Sequence, residues 1–400
     1  GVGEFIMATL AKLNSIAASG GDQKAKTEEY KALLAALISA KDTAGLETFV
    51  EHIASEQTAL VISRGVLQEY AASLKNLEPE QHVRVAQVAI EKIQPRVVAF
   101  EDQISTIREN LSAVFEENEQ WQEAAKILIG IPLESGQRVL TADYKVGIYV
   151  HIAQLFLEDL DYYESEKYLL KAGAILSDTK DRVLTIKHKG SMARIYEYKR
   201  RFFDASSRYY DLSFMLQGDE AQTSLESAII CALLAPAGPQ RSRQLATLCK
   251  DERSPTMTLY PMLQKMFTDR IIRQEEVKTF AASLVGRPGA NDSTALEQAI
   301  REHNLLAASK VYLNISFEEL GVLLDVRASD AEKLASNMIS ENRLKGHIDQ
   351  LATLIHFNET DTLQMWDQRI ETTCSSVNNI VDRIAFAHPK FAEEASRKHM

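Results

Sequence analysis

The sequence predicts a mainly α protein: a TPR-like or HEAT-like helical-repeat solenoid, then a winged-helix subdomain, then one long C-terminal helix. Three observations predict it. Gly 17 and Pro 9 are few for 400 residues, and helices tolerate little of either. A hairpin pattern recurs three times in the middle of the chain. A strict heptad closes the chain.

The first residues, Gly1-Val2-Gly3-Glu4-Phe5, have no basic region or apolar signal core. Residues 1–6 read as an expression scar ahead of a start at Met7. The solenoid is expected over 7–285. Tyr30, Leu33, Leu34, Leu37 and Ile38 share one helix face and need cover from another helix. Val83 to Ile93 repeats the pattern and stops before Pro95. Trp121, Tyr162 and Phe202 are then spaced 41 and 40 residues apart. Three residues beyond each stands a small one, Ala124, Ser165 and Ala205. Four beyond those stand Leu128, Leu169 and Tyr209. Six before each aromatic is another aromatic: Phe115, Phe156 and Tyr196. The spacing predicts helix, tight turn, helix, with the small residue where the helices cross. One such hairpin cannot cover its own apolar face, so neighbours must stack. Glu116-Glu117-Asn118, Glu158-Asp159 and Lys199-Arg200-Arg201 supply the polar turns.

Residues 220–285 continue as helices without the repeat, and Gly286–Ser293 reads as a linker. The winged helix is expected over 295–358. It starts with a helix from Leu296 to Val311. Ser316-Phe317-Glu318-Glu319 and Ser329-Asp330-Ala331-Glu332 are capping boxes, opening helices through Leu324 and Leu344. Two short β-like runs follow, His347–Asp349 and Leu354–Phe357, and the second is expected to leave a strand edge open for a neighbour. The final helix, within 360–390, carries Leu363, Trp366, Ile370, Thr373, Val377, Ile380 and Ile384 at alternating spacings of three and four. Exposed, each large apolar side chain would forgo roughly 1.5–3 kcal/mol. The helix must fold back on its own domain or pair with other chains. The winged helix is complete at Phe357, which favours other chains.

Lys+Arg 45 against Asp+Glu 56 leaves a net charge of -11, which disfavours general binding to phosphate backbones. The third helix of the winged helix, where nucleic-acid readers place Arg, Lys, Asn or Gln, sums to -1 over Asp330, Glu332, Lys333, Glu341 and Arg343. Asp349 adds another negative charge in the wing. A protein-docking role is expected there. Lys187-His188-Lys189, Lys199-Arg200-Arg201 and Arg241 with Arg243 are either solvated turns or a contact for an acidic partner. Cys231, Cys249 and Cys374 are far apart and odd in number, so no disulfide framework or zinc pair is expected, and the chain reads as intracellular and reduced. All three cysteines are expected as small core residues. His303 and His347 are expected in packing or capping roles. No HExxH, GxxxxGK, GxGxxG or GxSxG occurs. No metal, cofactor or catalytic residue is expected, nor a membrane span.

A helical-repeat solenoid running into a winged helix resembles the PCI-domain family. The strings Leu60–Arg64, Glu91–Val97, Gly130–Gln137, Gln240–Leu248, Lys250–Arg253 and Glu302–Lys310 narrow the resemblance to the PCI subunits of the COP-nine signalosome. It runs from about residue 25 to residue 385; the N-terminus and Gly286–Ser293 diverge. The resemblance implies a non-catalytic scaffold and substrate-sensing subunit. The complex removes a ubiquitin-like modifier from cullin-RING ubiquitin ligases through a zinc site in a separate MPN subunit. Partners would be the other PCI subunits and the MPN pair, with the cullin-RING ligase as substrate, in cytoplasm and nucleus, with no nucleic acid or membrane. The docking residues would be Leu354, Ile355, His356 and Phe357 as an edge strand, and Leu363, Trp366, Ile370, Val377, Ile380 and Ile384 in a shared helical bundle. The solenoid would reach toward the cullin and its RING partner. Within the same architecture stand PCI subunits of the proteasome lid and of the initiation factor three complex. A winged-helix nucleic-acid binder is the alternative from another class.

Overall fold

The computed structural model describes residues 2–18, 23–56, 58–134, 140–283, 293–357 and 362–389. The chain divides into two compact units, 1–228 and 229–400. Of the expected linker Gly286–Ser293, residues 286–292 lie outside the described residues, and Ser293 begins a helix.

The first unit is helical. It holds α1 (Val2–Ala18), α2 (Gln23–Ser39), α3 (Thr43–Ala54), α4 (Leu60–Ser73), α5 (Pro79–Ile93), α6 (Glu101–Glu117), α7 (Trp121–Ile129), α8 (Ala142–Glu158), α9 (Tyr162–Ile175), α10 (Arg182–Tyr198) and α11 (Phe202–Met215). Helix α12 (Asp219–Leu234) carries the chain across the boundary. The three repeat hairpins are α6–α7, α8–α9 and α10–α11. Each turn is built alike. Glu119, Leu160 and Arg200 adopt the left-handed conformation, with φ of 57°, 64° and 58°. The next residue, Gln120, Asp161 or Arg201, donates its N–H to the carbonyl of Phe115, Phe156 or Tyr196 at 2.9, 2.8 and 2.9 Å. That closure satisfies a carbonyl left over at the helix end and reverses the chain. The repeat aromatic is therefore the first residue of the second helix in every copy.

Ala124, Ser165 and Ala205 are fully buried, which lets the paired helices approach closely. The Ser165 hydroxyl, otherwise an unpaired buried donor, donates to the Ala153 carbonyl at 2.8 Å. Leu128 and Leu169 fill the next layer, and in the third copy the Tyr209 hydroxyl donates to buried Glu197 at 2.9 Å. The turn between α2 and α3 uses the same device: Lys41 has φ of 51°, and Asp42 N–H donates to Leu37 O at 3.1 Å. Asp42 also caps Gly45 N–H at 3.0 Å. A Cβ at Gly45 would lie 2.5 Å from that carboxylate, so any larger residue would push the capping side chain aside.

The second unit contains α13 (Pro239–Lys250), α14 (Tyr260–Phe267), α15 (Gln274–Ser283) and α16 (Ser293–Val311). After them come β1 (Asn314–Ser316), α17 (Phe317–Leu324), α18 (Ala328–Ser340), β2 (Gly346–Asp349), β3 (Leu354–Phe357) and α19 (Thr362–Ala387). This is the expected winged helix, with a core of Leu305, Ile315, Phe317, Leu320, Ala335, Met338 and Ile355 among others. Ser316 caps α17 as expected, accepting from Glu319 N–H at 3.2 Å.

Three local readings are corrected. Helix α18 starts one residue ahead of Ser329, and Arg327 is its N-cap with no side-chain bond, so no capping box forms there. It stops at Ser340 rather than Leu344. Asn342 turns left-handed at φ 56°, and Arg343 N–H returns to Met338 O at 2.9 Å. A third strand, β1, precedes the expected pair, and the sheet order is β1-β3-β2, antiparallel throughout.

Candidate subunit interface

The expected edge strand is not an edge. Leu354, Ile355, His356 and Phe357 form β3, the middle strand, whose backbone is engaged by β1 on one side and β2 on the other. Ile355 and Phe357 point into the core, at 0% and 6% exposure. The reason is three residues long. Asn314–Ser316 gains ladder bonds and buries Ile315 without showing the alternation of a long strand. The open margins belong to β1 and β2. Val311, Tyr312 and Leu313, leading into β1, are exposed. So is Leu351, the completely exposed tip of the wing. The run Val311-Tyr312-Leu313-Asn314-Ile315 was the available signal for β1: β-branched and aromatic residues ahead of a helix cap.

The terminal helix spans Thr362–Ala387, against an expected extent of about 361–388. Trp366, Ile370, Val377, Ile380 and Ile384 are 61%, 54%, 53%, 56% and 41% exposed. Of the described side chains from Trp366 to Pro389, only Ala385 is even half-buried. The side chain of Leu363 lies outside the described residues. Val381 and Phe386 extend the exposed apolar surface beyond the heptad positions. Cys374 is exposed on this helix and is not a core residue, whereas Cys231 is buried as expected and Cys249 is intermediate. Burial pushes the Cys249 thiol pKa up, away from thiolate reactivity.

Elsewhere in the second unit lies a buried polar set that sequence reasoning passed over as function. Glu302, His303 and Asn304 are consecutive on α16 and nearly fully buried. The Glu302 carboxylate accepts from Arg343 at 2.5 Å, Ala237 N–H at 3.0 Å and Gln298 at 3.1 Å. Arg241 donates to His303 Nδ1 at 3.1 Å and to Ala235 O at 3.2 Å. His303 Nε2 is then the protonated nitrogen and donates to Arg270 O at 2.9 Å. Asn304 binds the backbone of Ile272 at both N–H and C=O, at 2.9 and 3.1 Å. One helix turn thereby fastens the winged helix to the helices before it within the second unit. Burial and the nearby Arg241 charge hold the His303 pKa down at about 4. Neutral and doubly hydrogen-bonded, His303 has no free lone pair for a metal and no proton to trade. It packs, as expected. Arg241 is neither a solvated turn nor a contact for an acidic partner, because it is 3% exposed. Lys187–Lys189 lie within α10 rather than in a turn. Lys199 pairs with Glu166, and Arg201 with Asp204.

Helix α18 carries charges of both signs. Arg327 at its N-cap and Lys333 both face Asp330, at 4.0 and 3.9 Å, Glu332 adds a second acid, and Arg343 is taken up by Glu302 and Glu341. Among the described residues no cluster of three or more His, Cys, Asp or Glu could hold a metal ion. No helix among them is long and apolar enough to cross a membrane.

A helical repeat joined to a winged helix is the layout of the PCI class, and comparison with known proteins agrees. The family model "PSMD12/CSN4, N-terminal" matches residues 6–219, and the PCI domain model matches residues 263–359. The chain is 48% identical to COP9 signalosome complex subunit 4 of Dictyostelium discoideum, over 92% of this chain and 95% of the relative. It is 43% identical to the protein of that name from Arabidopsis thaliana, over 91% and 95%, and 41% identical to that from Drosophila melanogaster, over 93% and 94%. The chain belongs to the COP9 signalosome subunit 4 family.

Proposed function

We propose that this chain is a non-catalytic scaffold and substrate-sensing subunit of a COP9 signalosome, supporting deneddylation of cullin-RING ligases by a separate MPN metalloprotease subunit. The observation that carries the reading is the terminal helix: an apolar heptad seam left in water by a chain similar, over nine-tenths of its length, to signalosome subunits. Such a seam is stable in a finished assembly only under other helices. The open margins of β1 and β2 offer backbone donors and acceptors to neighbouring PCI subunits. The stacked hairpins of the first unit give a surface for the cullin-RING ligase. Neither nucleic acid nor membrane is a partner in this reading. Cysteines that form no disulfide among the described residues suit a reduced compartment, cytoplasm and nucleus.

The test is truncation after Phe357. No described side chain from Trp366 onward contributes to a core, so the shortened chain should fold with an unchanged melting temperature. It should no longer co-purify with the other subunits when mass spectrometry inventories the complex. Recovery of the full set by the truncated chain would overturn the assignment.

A further inference from the structure

The flanks of the exposed seam say what chemistry covers it. We propose that α19 docks against a partner helix carrying acidic side chains spaced two heptads apart, and not against a second copy of this chain. The inference rests on the subunit reading above and specifies its partner.

With Ile370, Val377 and Ile384 at the a positions and Trp366 and Ile380 at d, the g positions include Arg369 and Arg383. These two arginines lie along the same margin, about 21 Å apart along the helix. Both are exposed. Neither has an acid three or four residues away on its own helix: the neighbours are Trp366, Thr372, Met365 and Thr373 for the first, and Ile380, Phe386, Asn379 and Ala387 for the second. The helix's own acids are of no help to them. Glu371 and Asp382 fall at b and f, facing away from the seam, and Asp367 lies on the opposite e margin.

A second copy cannot supply the missing charge. In a parallel pair, g meets the following e of the partner helix. Arg369 would face Cys374 and Arg383 would face His388. In an antiparallel pair, g margins face each other, and arginine meets arginine or the uncharged Thr362 and Ser376. Self-pairing would bury the seam and leave two cations unanswered. Charges at e and g choose the partner of a coiled coil, so the cover that fits is a helix with Asp or Glu where these two guanidinium groups arrive.

The experiment uses the full chain. Alone, at tens of micromolar, it should sediment as a monomer. Co-expressed with the other signalosome subunits, I370D/I380D should be lost from the complex. R369E/R383E, with the seam intact, should be retained about tenfold less. The wild-type association should weaken with added salt while that of the reversed variant does not. A photo-crosslinker at position 369 should label a helix segment containing Asp or Glu. Full retention of R369E/R383E beside loss of I370D/I380D would overturn the acidic partner and leave the subunit reading intact. Full retention of I370D/I380D would overturn the docking helix itself. A dimer of the isolated chain abolished by I370D/I380D would show that the second copy is the occupant.

Discussion

Replacing Arg343 with methionine tests how the winged helix is held. Its guanidinium meets the Glu302 carboxylate at 2.5 and 3.3 Å, donates to Ala237 O at 3.1 Å, and reaches Glu341 at 2.6 Å. The Glu302 side chain is 3% exposed and that of Arg343 is 19% exposed, so water screens the pair little. Methionine keeps most of the stem's packing and removes the charge. Glu302 would then be a buried carboxylate held by one backbone N–H and Gln298. Losing one partner of a buried pair costs about 3–5 kcal/mol. Taking the lower end, and about 2–4 °C per kcal/mol for a unit of this size, the melting transition of the second unit should fall by roughly 6–12 °C. The double variant E302Q/R343M should recover most of the loss, because its side-chain amide oxygen still accepts from Ala237 N–H and no charge is stranded. Calorimetry gives the transition, and hydrogen exchange at the Ala237 amide assigns it to this unit. A loss below about 0.5 kcal/mol for Arg343→Met, the range of an ordinary surface change, would refute the reasoning. So would a double variant no better than the single one.

Stability of the second unit should fall as pH drops from about 6.5 toward 4. The folded His303 pKa of about 4 lies below its unfolded value, so its contribution is complete above the unfolded pKa and is lost as pH falls through the folded one. The magnitude is about 3 kcal/mol, and His303→Gln should flatten the calorimetric pH profile of this transition; an unchanged slope would count against it. Ala124→Leu, at a fully buried helix crossing, should cost the first unit about 1–3 kcal/mol by overpacking, measured by urea unfolding. Leu160→Gly should raise stability by roughly 0.5–1 kcal/mol, because a 65% exposed leucine at φ 64° gives up little packing and sheds its left-handed strain.

Much of this protein was legible in the residues because helices report themselves locally. The recurrence of Trp121, Tyr162 and Phe202 fixes helix starts in three hairpins, since the left-handed turn before each depends only on neighbouring residues. The extent of the terminal helix and the position of its seam follow from one periodicity. What the residues did not disclose are features decided by partners distant in sequence. Strand order is one. Leu354–Phe357 reads as the last strand of a hairpin, and only the pairing of Asn314–Ser316, some forty residues earlier, makes it central. The fate of Arg241 and Arg343 is another. As sequence they are surface cations, but in space each is drawn inward, to His303 and Glu302 of α16. Cys374 is exposed for a related reason: its helix has the pattern of a core element, yet no other described element of this chain covers it. Local periodicity determined the elements and which faces need cover. The tertiary structure decided which faces the chain covers for itself, because burial and ion pairing depend on contacts between segments that no local pattern encodes.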